Sequence, residues 1–454
     1  MRRVIQIEFN ELSPVLLEEF MDAGKLPNFR RLHNSSEVYI TDASDERTLE
    51  PWVQWPTLHT GIDDSDHGIR HLGESARIAG RGIARELADA GIRVGVFGSM
   101  NIDSGPLDGF SVPDPWNVGA APHPPELAAF TEFVGTAVKE NSTSTLDKGA
   151  ALGFLKYFMT HGLTTTTMRS AVKQLIGERR DPALTWKRAM ILDELSYDLF
   201  RYLVKRHEVG YATFFSNSTA HFQHYFWRNF RPNDFGTAPS NDDHSSLREA
   251  VLAGYQNHDR LLGRVLMDFP NDRIVFATAL SQVPWDTTKC TYRPKDINRL
   301  LSATGIESTA VRVEPIMAEE FILSFFDEPT ACEAVKKLQS SCVDSGPLFK
   351  LEEVEPLKIK IGCTVNEWRA DNFTVKLRDG VEFKFHDLFM RIHGIRSGKH
   401  HPDGCLWIQS RKPGELGLRI PLTSVAPTIL RLYGIDPPSY MKEPAVELRE
   451  MSNG

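Results

Sequence analysis

No pair among the five cysteines (Cys290, Cys332, Cys342, Cys363, Cys405) stands at C-x-x-C spacing, and their number is odd. That argues against both a thiolate zinc site and a disulfide framework. No run reaches the 18 or so consecutive apolar residues of a membrane span, so none is expected to cross a bilayer. Long basic runs are also missing: Lys+Arg is 52 against Asp+Glu 60, a formal charge of −8. Nucleic acid wants a basic stripe and is not an expected partner. The chain does not open on an apolar signal-peptide core, because Met1-Arg2-Arg3 runs straight into the strand-like Val4-Ile5-Gln6-Ile7-Glu8; the expected location is the cytoplasm. No internal repeat or low-complexity tract shows itself.

What is present suits a globular protein. With 454 residues, 41% of them hydrophobic, there is material for a real core, which rules out wholesale disorder. The first hundred residues alternate strand and helix signals: a strand at Val4–Ile7, a helix opened by Ser13-Pro14, and a second helix from Lys25-Leu26-Pro27-Asn28. A helix at Gly80–Asp89 then ends at Gly91, and a buried strand follows at Arg93–Phe97. This rhythm predicts a mainly parallel sheet covered by helices. From about Thr145 to Phe200 only helical periodicity remains. The α/β pattern resumes with a strand at Tyr211–Phe215, a helix from Ser245 to Met267 and a strand at Arg273–Thr278. Residues 1–139 are thus read as the first part of the sheet domain, 140–205 as a helical insertion or cap, and 206–454 as the remainder, with a mixed segment at about 290–390.

Several segments carry a resemblance in order. They are Val4–Pro14 with Gly24-Lys25-Leu26-Pro27-Asn28-Phe29, Thr57-Leu58-His59-Thr60-Gly61 with Asp66-His67-Gly68-Ile69, and the strand Gly91 to Gly98. Next come His221 to Trp227 and the helix Tyr255 to Leu266. Gly398-Lys399-His400-His401-Pro402-Asp403-Gly404, and Val425 to Leu430 with Gly434-Ile435, complete the series. Together the chain resembles the alkaline-phosphatase superfamily, particularly its type I phosphodiesterase and nucleotide-pyrophosphatase branch. The resemblance implies an α/β fold, a mainly parallel sheet sandwiched by helices with a helical insertion. It also implies a two-metal hydrolase acting on phosphoryl or sulfuryl esters from a Thr or Ser nucleophile.

Position by position the chemistry departs from that pattern. The family's opening acidic turn falls on Asn10, its nucleophile on Pro51, and the Asp four residues before His224 on Ala220. Its later S-D-H-G falls on Thr278-Ala279-Leu280-Ser281. Only His224 and His400 keep ligand-type residues. Two imidazoles without carboxylates do not hold a pair of divalent ions, so a two-metal centre is not expected and the site holds at most one divalent metal, on His224 and His400.

Other groups gather at the same strand ends, where open α/β sheets bind ligands. Glu8 and Asn10 alternate onto one strand face. Glu50 precedes Pro51, with Trp52, Gln54 and Trp55 after it. Asn217 and His221 follow one strand, Gln282 another, and His401 and Asp403 accompany His400. Each also has a structural reading: tryptophans as core, Asn217 as a helix cap, His221 and His224 as satisfied histidines on one helix face. Two functions stay open. In the first, a rewired hydrolase or transferase acts on a phospho- or sulfo-ester, either a small molecule or sugar-linked. Its catalytic residues are Glu8, Glu50, His224 and His400, and its substrate-binding residues Asn10, Trp52, Gln54, Asn217, His221, Gln282, His401 and Asp403. In the second, a pseudoenzyme keeps the pocket as a binding or regulatory module. Whether Glu8 and Glu50 both face His224 and His400 separates the two.

Overall fold

The strand read at Val4–Ile7 forms β1, Val4–Phe9, the middle of an eight-stranded sheet. The computed structural model describes residues 2–43, 48–117, 120–139, 153, 156–239, 243–315, 320–344, 346–377 and 380–449. The sheet is made by β1, β2 (Ser36–Asp42), β3 (Val94–Phe97), β4 (Gly109–Val112), β5 (Tyr211–Ser216), β6 (Arg273–Thr278), β9 (Asp403–Gln409) and β10 (Gly414–Pro421). Its order is β10-β2-β9-β6-β1-β5-β3-β4. All pairings are parallel except those of β9, which runs antiparallel to β2 and β6. A separate antiparallel pair joins β7, Ser281–Pro284, to β8, Gly398–His401. The mixed α/β architecture with a mainly parallel sheet is as the sequence led one to expect.

Helices lie on both faces because β1 buries both of its own. Ile5, Ile7 and Phe9 point to α2 (Pro27–Asn34) and α8 (Ala250–Asp268), where Phe9 stacks on His258 at 4.0 Å and meets Phe29 at 6.1 Å. Gln6 and Glu8 point the other way, toward α3 (Pro51–Thr60), through His59. The helix α1 (Pro14–Asp22) begins where Ser13-Pro14 led one to expect, but the Ser13 side chain makes no capping bond. Its N–H donates instead to the Tyr255 hydroxyl at 2.8 Å. The start of α2 is capped from another helix: Asp259 Oδ1 accepts from the N–H groups of Asn28 and Phe29, both at 2.9 Å. Two of the segments that carried the resemblance therefore hold each other.

The helix read from Gly80 is α4, Ile83–Asp89, and that read from Ser245 is a 3-10 turn, Ser245–Glu249, running into α8. The stretch read as helical contains α5, Thr165–Arg180, and α6, Arg188–His207, with no strand among the described residues between β4 and β5. The helical reading of 145–152 and of Phe154 and Leu155 falls outside the described residues. After β5 comes α7, Ser218–Phe230, and the chain closes on α9, Val425–Leu432. No helix among the described residues is long and apolar enough to cross a membrane.

The chain divides into two compact units. The first, Met1–Phe230 with His244–Pro284 and Gly398–Gly454, contains everything named so far. The second, Arg231–Asp243 with Trp285–Ser397, holds an antiparallel four-stranded sheet in the order Phe349–Glu355, Lys358–Cys363, Phe321–Phe325, Val311–Pro315. Its own core includes Leu323, Ile361, Leu348 and Phe385.

Candidate functional site

β1 runs out at a turn that sets the whole site. Asn10 continues the ladder, its N–H donating to Ser216 O at 2.9 Å. The next residue, Glu11, has φ +58°, a left-handed backbone that non-glycine residues seldom adopt. The turn is clamped from α7 and α8: Gln223 Nε2 donates to Glu11 O at 2.7 Å, and the Tyr255 hydroxyl donates to Gln223 Oε1 at 2.6 Å. Strain of this sort persists where surrounding contacts over-determine it, and it concentrates at functional sites. Here it swings a buried carboxylate between two imidazoles.

Glu11 Oε2 lies 3.0 Å from His224 Nε2 and 3.4 Å from His400 Nε2, and it accepts from Gln282 Nε2. Oε1 accepts from Asn10 Nδ2 at 2.7 Å. The two histidines arrive from different elements, His224 on α7 and His400 on β8. Gly398 lets them meet: a Cβ there would lie 2.7 Å from the Gln223 carbonyl oxygen, so only glycine allows β8 this close to α7. The Gly398 carbonyl is 3.1 Å from His224 Nδ1. A carbonyl only accepts, so Nδ1 carries a proton and Nε2 faces the carboxylate. An ionised carboxylate opposite a bare nitrogen lone pair is unstable. Nε2, 3.0 Å from the carboxylate, is therefore placed to share a hydrogen or a cation with Glu11.

His400 stands in the same position. Its Nδ1 is 3.5 Å from Glu50 Oε2, so the ring bridges two carboxylates. Burial alone would lower its pKa, but Glu11, then Glu50, outweigh that and raise it above the usual histidine value. Burial would likewise raise Glu11, yet His400 and His224 hold its carboxyl well below the usual carboxylate range. Glu11, His224 and His400 offer ligand atoms that all lie within 4.8 Å of one another. A carboxylate plus two Nε2 imidazoles is the three-ligand set of a catalytic zinc-type site with an open fourth position. The Gly398 carbonyl on the far nitrogen of His224 is the outer contact such ligands make. The donors present fit one divalent cation. Among the described residues no second cluster of three such groups exists.

Of the residues singled out from the sequence, Glu50, His224, His400, Asn10, Asn217 and Gln282 come together. Asn10 is the hub. Its amide hydrogens go to Asn217 Oδ1 and Glu11 Oε1, both at 2.7 Å, and its Oδ1 accepts from Trp55 Nε1 at 2.7 Å. An aspartate here would face two acceptors; the carboxylate at this turn is that of Glu11, the next residue. The reading that no carboxylate remains at this turn is thus corrected. Gln282 reaches past Glu11 to Ala220 O at 3.0 Å.

The other residues lie elsewhere. Glu8 is fully buried under α3, with Oε1 2.7 Å from Gln6 Nε2 and 2.8 Å from His59 Nε2, and Oε2 accepting from Ser99 Oγ at 2.7 Å. It shares no contact with His224 or His400, because Glu11, not Glu8, is carried into the cluster. Trp52 Nε1 donates to Arg70 O at 3.0 Å and Gln54 Nε2 to Thr48 O at 2.9 Å. His221 packs on Tyr225 at 5.0 Å. His401, one step from His400 along β8, points to the opposite side, and its Nδ1 accepts from the Asp403 N–H at 3.2 Å. Asp403 is paired with Arg419 at 2.5 Å.

Where β5 meets α7, behind Asn217, sits a second buried cluster. Asp193 accepts from Ser216 Oγ at 2.7 Å, Ser218 Oγ at 2.5 Å and Asn257 Nδ2 at 3.2 Å, while His258 meets Ser216 Oγ at 2.9 Å. Burial pushes the Asp193 carboxyl up to about 7 and His258 down to about 3, so both are neutral in mildly acid solution. For Asp193 the sign is clear. A raised folded pKa gives stability that is full below 3.8 and lost as pH rises through about 7. Asp193→Asn keeps the shape without the charge. Urea unfolding is expected to shift by about 4 kcal/mol in the variant's favour across that window; a difference that does not change with pH would sink this assignment.

No protein-family model matches the chain, and no curated protein matches its sequence. Among solved structures it is similar to human ectonucleotide pyrophosphatase/phosphodiesterase 5, at 9% identity over 96% of this chain and 95% of that one, with a TM-score of 0.43. An inactive form of the murine protein of the same name, in complex with AMP, gives 9% identity, 96% of each chain and a TM-score of 0.41. The wild-type alkaline phosphatase PafA gives 12% identity, 98% of each chain and 0.43.

Proposed function

We propose that the chain is a hydrolase or transferase of a phospho- or sulfo-ester, small or sugar-linked, built on a single-cation site rather than a two-metal centre. The observation that carries this reading is the convergence of Glu11, His224 and His400 within 4.8 Å. Glu11, His224 and His400 would hold a divalent cation there, which would supply Lewis-acid chemistry to an ester.

The chain's own groups do the rest. Glu11 supplies the negative charge, and Asn10 and Gln282 fix its two oxygens. Glu50 holds the Nδ1 side of His400. With its side chain 43% exposed, it is the carboxylate an entering ester meets first. Pro51 puts no hydroxyl where the resemblance places the nucleophile, so the attack falls to water or an acceptor alcohol. Glu50 takes the proton of that attacking hydroxyl; the ester P–O or S–O bond breaks, and the proton passes to the leaving oxygen. Pro51 also supports the second reading, a binding module without turnover.

A panel of phosphomonoesters, phosphodiesters and sulfate esters separates the two. The expected result is turnover of at least one class, falling about 10²-fold or more in Glu50→Gln and in His400→Ala. No turnover of any ester, with a phospho- or sulfo-compound still bound and released by the same substitutions, would establish the binding module instead.

A further inference from the structure

Helix α5 is built inside out. Its inward face is polar. Thr167 and Glu178 are buried, Gln174 Nε2 donates to Leu184 O at 2.8 Å, and Arg188 Nη2 holds Glu178 at 2.7 Å. Thr164 caps its start, accepting from Thr167 N at 3.2 Å, and both Thr164 and Arg264 are tied to Asp198. The helix is therefore fastened in place.

Its apolar side chains face out. Met168, Val172, Leu175 and Ile176 are 45%, 50%, 64% and 50% exposed. Their spacing, i, i+4, i+7 and i+8, places them on one stripe. Beside them stand Arg169, Lys173, Arg179 and Arg180, all exposed and none ion-paired with a carboxylate among the described residues. The one acid of the helix, Glu178, is buried and already paired. A chain of net charge −8 thus presents a local surface of four cations flanking four bare apolar side chains.

We propose that this face of α5 docks on an anionic lipid surface, lying in the plane of the headgroups. An apolar stripe rimmed by Lys and Arg is the pattern of an interfacial helix, whose apolar side chains enter the acyl boundary while cations meet lipid phosphates and carboxylates. A second copy is the poorer occupant, because self-complementary pairing would set four unpaired cations against the same four. An acidic protein partner answers the charge. The open groove of about 510 Å³ along the stripe, however, is lined by Met168, Val172, Ile176 and the long stems of Arg169, Lys173 and Arg180, and the helix carries no bulky aromatic anchor of the kind protein hot spots use.

The test is flotation of the full chain with vesicles of phosphatidylcholine alone or with added phosphatidylserine. Binding is expected to the second and to be at least about tenfold weaker to the first, at about fivefold per cation near the surface. Arg169→Glu with Lys173→Glu, and separately Leu175→Ser with Ile176→Ser, should each abolish flotation and leave thermal stability within a few degrees, since all four side chains are exposed. No flotation with phosphatidylserine vesicles would overturn the proposal, as would flotation that both folded variants retain. Sedimentation showing a dimer that the Leu175→Ser, Ile176→Ser pair dissociates would assign the face to a second copy instead.

Discussion

Glu11→Gln is expected to abolish ester turnover and to weaken the fold in a pH-dependent way. The carboxylate is buried between two imidazoles, and removing its charge leaves them without their counter-ion. Breaking a buried pair on one side costs about 3–5 kcal/mol. The size follows the two titrations. Glu11 has a lowered folded pKa, so its contribution is full above 4.5 and is lost as pH falls through the folded value. His400 has a raised one, so its contribution is full below 6.5 and is lost as pH rises through the folded value. Both are in force together between about 4.5 and 6.5. With a chelator present, so that protons alone occupy the site, wild type minus variant stability in urea should peak in that window and shrink on either side. A difference constant from pH 4 to 9 would mean that Glu11 and His400 are not coupled as the geometry implies.

The second large effect falls on Glu8, which the sequence placed beside Asn10 in the site. Glu8→Ala is expected to destabilise by about 4 kcal/mol or more, because Gln6, Ser99 and His59 all lose their buried partner. In a unit of this size that is about 6 °C of thermal midpoint. Turnover per folded molecule should change little at a temperature where the variant stays folded. Glu50→Gln should show the reverse, small in stability and large in turnover. A stable Glu8→Ala protein without turnover would return Glu8 to the chemistry.

The contrast between these two carboxylates shows where sequence reasoning reaches and where it stops. Strand alternation holds within β1, where Gln6 and Glu8 lie on one side and Ile5, Ile7 and Phe9 on the other. Carried one step past the strand it failed, since alternation by twos assigns Glu11 to the face opposite Asn10. The left-handed backbone at Glu11 breaks that alternation, and it is imposed by Gln223 and Tyr255, more than two hundred residues away. The available signal was an acidic residue next to Asn10, at a turn where the resemblance calls for an acid.

His224 and His400 were legible because each sits in a segment of recognisable pattern. Gln282 was legible from its place after a strand end. The Asp193 and His258 cluster was not, because it joins α6, β5, α7 and α8 through side chains with no local spacing rule. The same holds for α5: periodicity revealed a helix, but a stripe of apolar residues reads as a buried face by default, and here the polar face is the buried one.

The most direct test of a single-cation site is metal content per chain, by elemental mass spectrometry on protein purified without chelator or affinity histidines. One divalent ion per chain is expected, falling to a small fraction in Glu11→Gln and in His224→Ala while both remain folded. Two ions per chain, none, or one that both variants retain would contradict it.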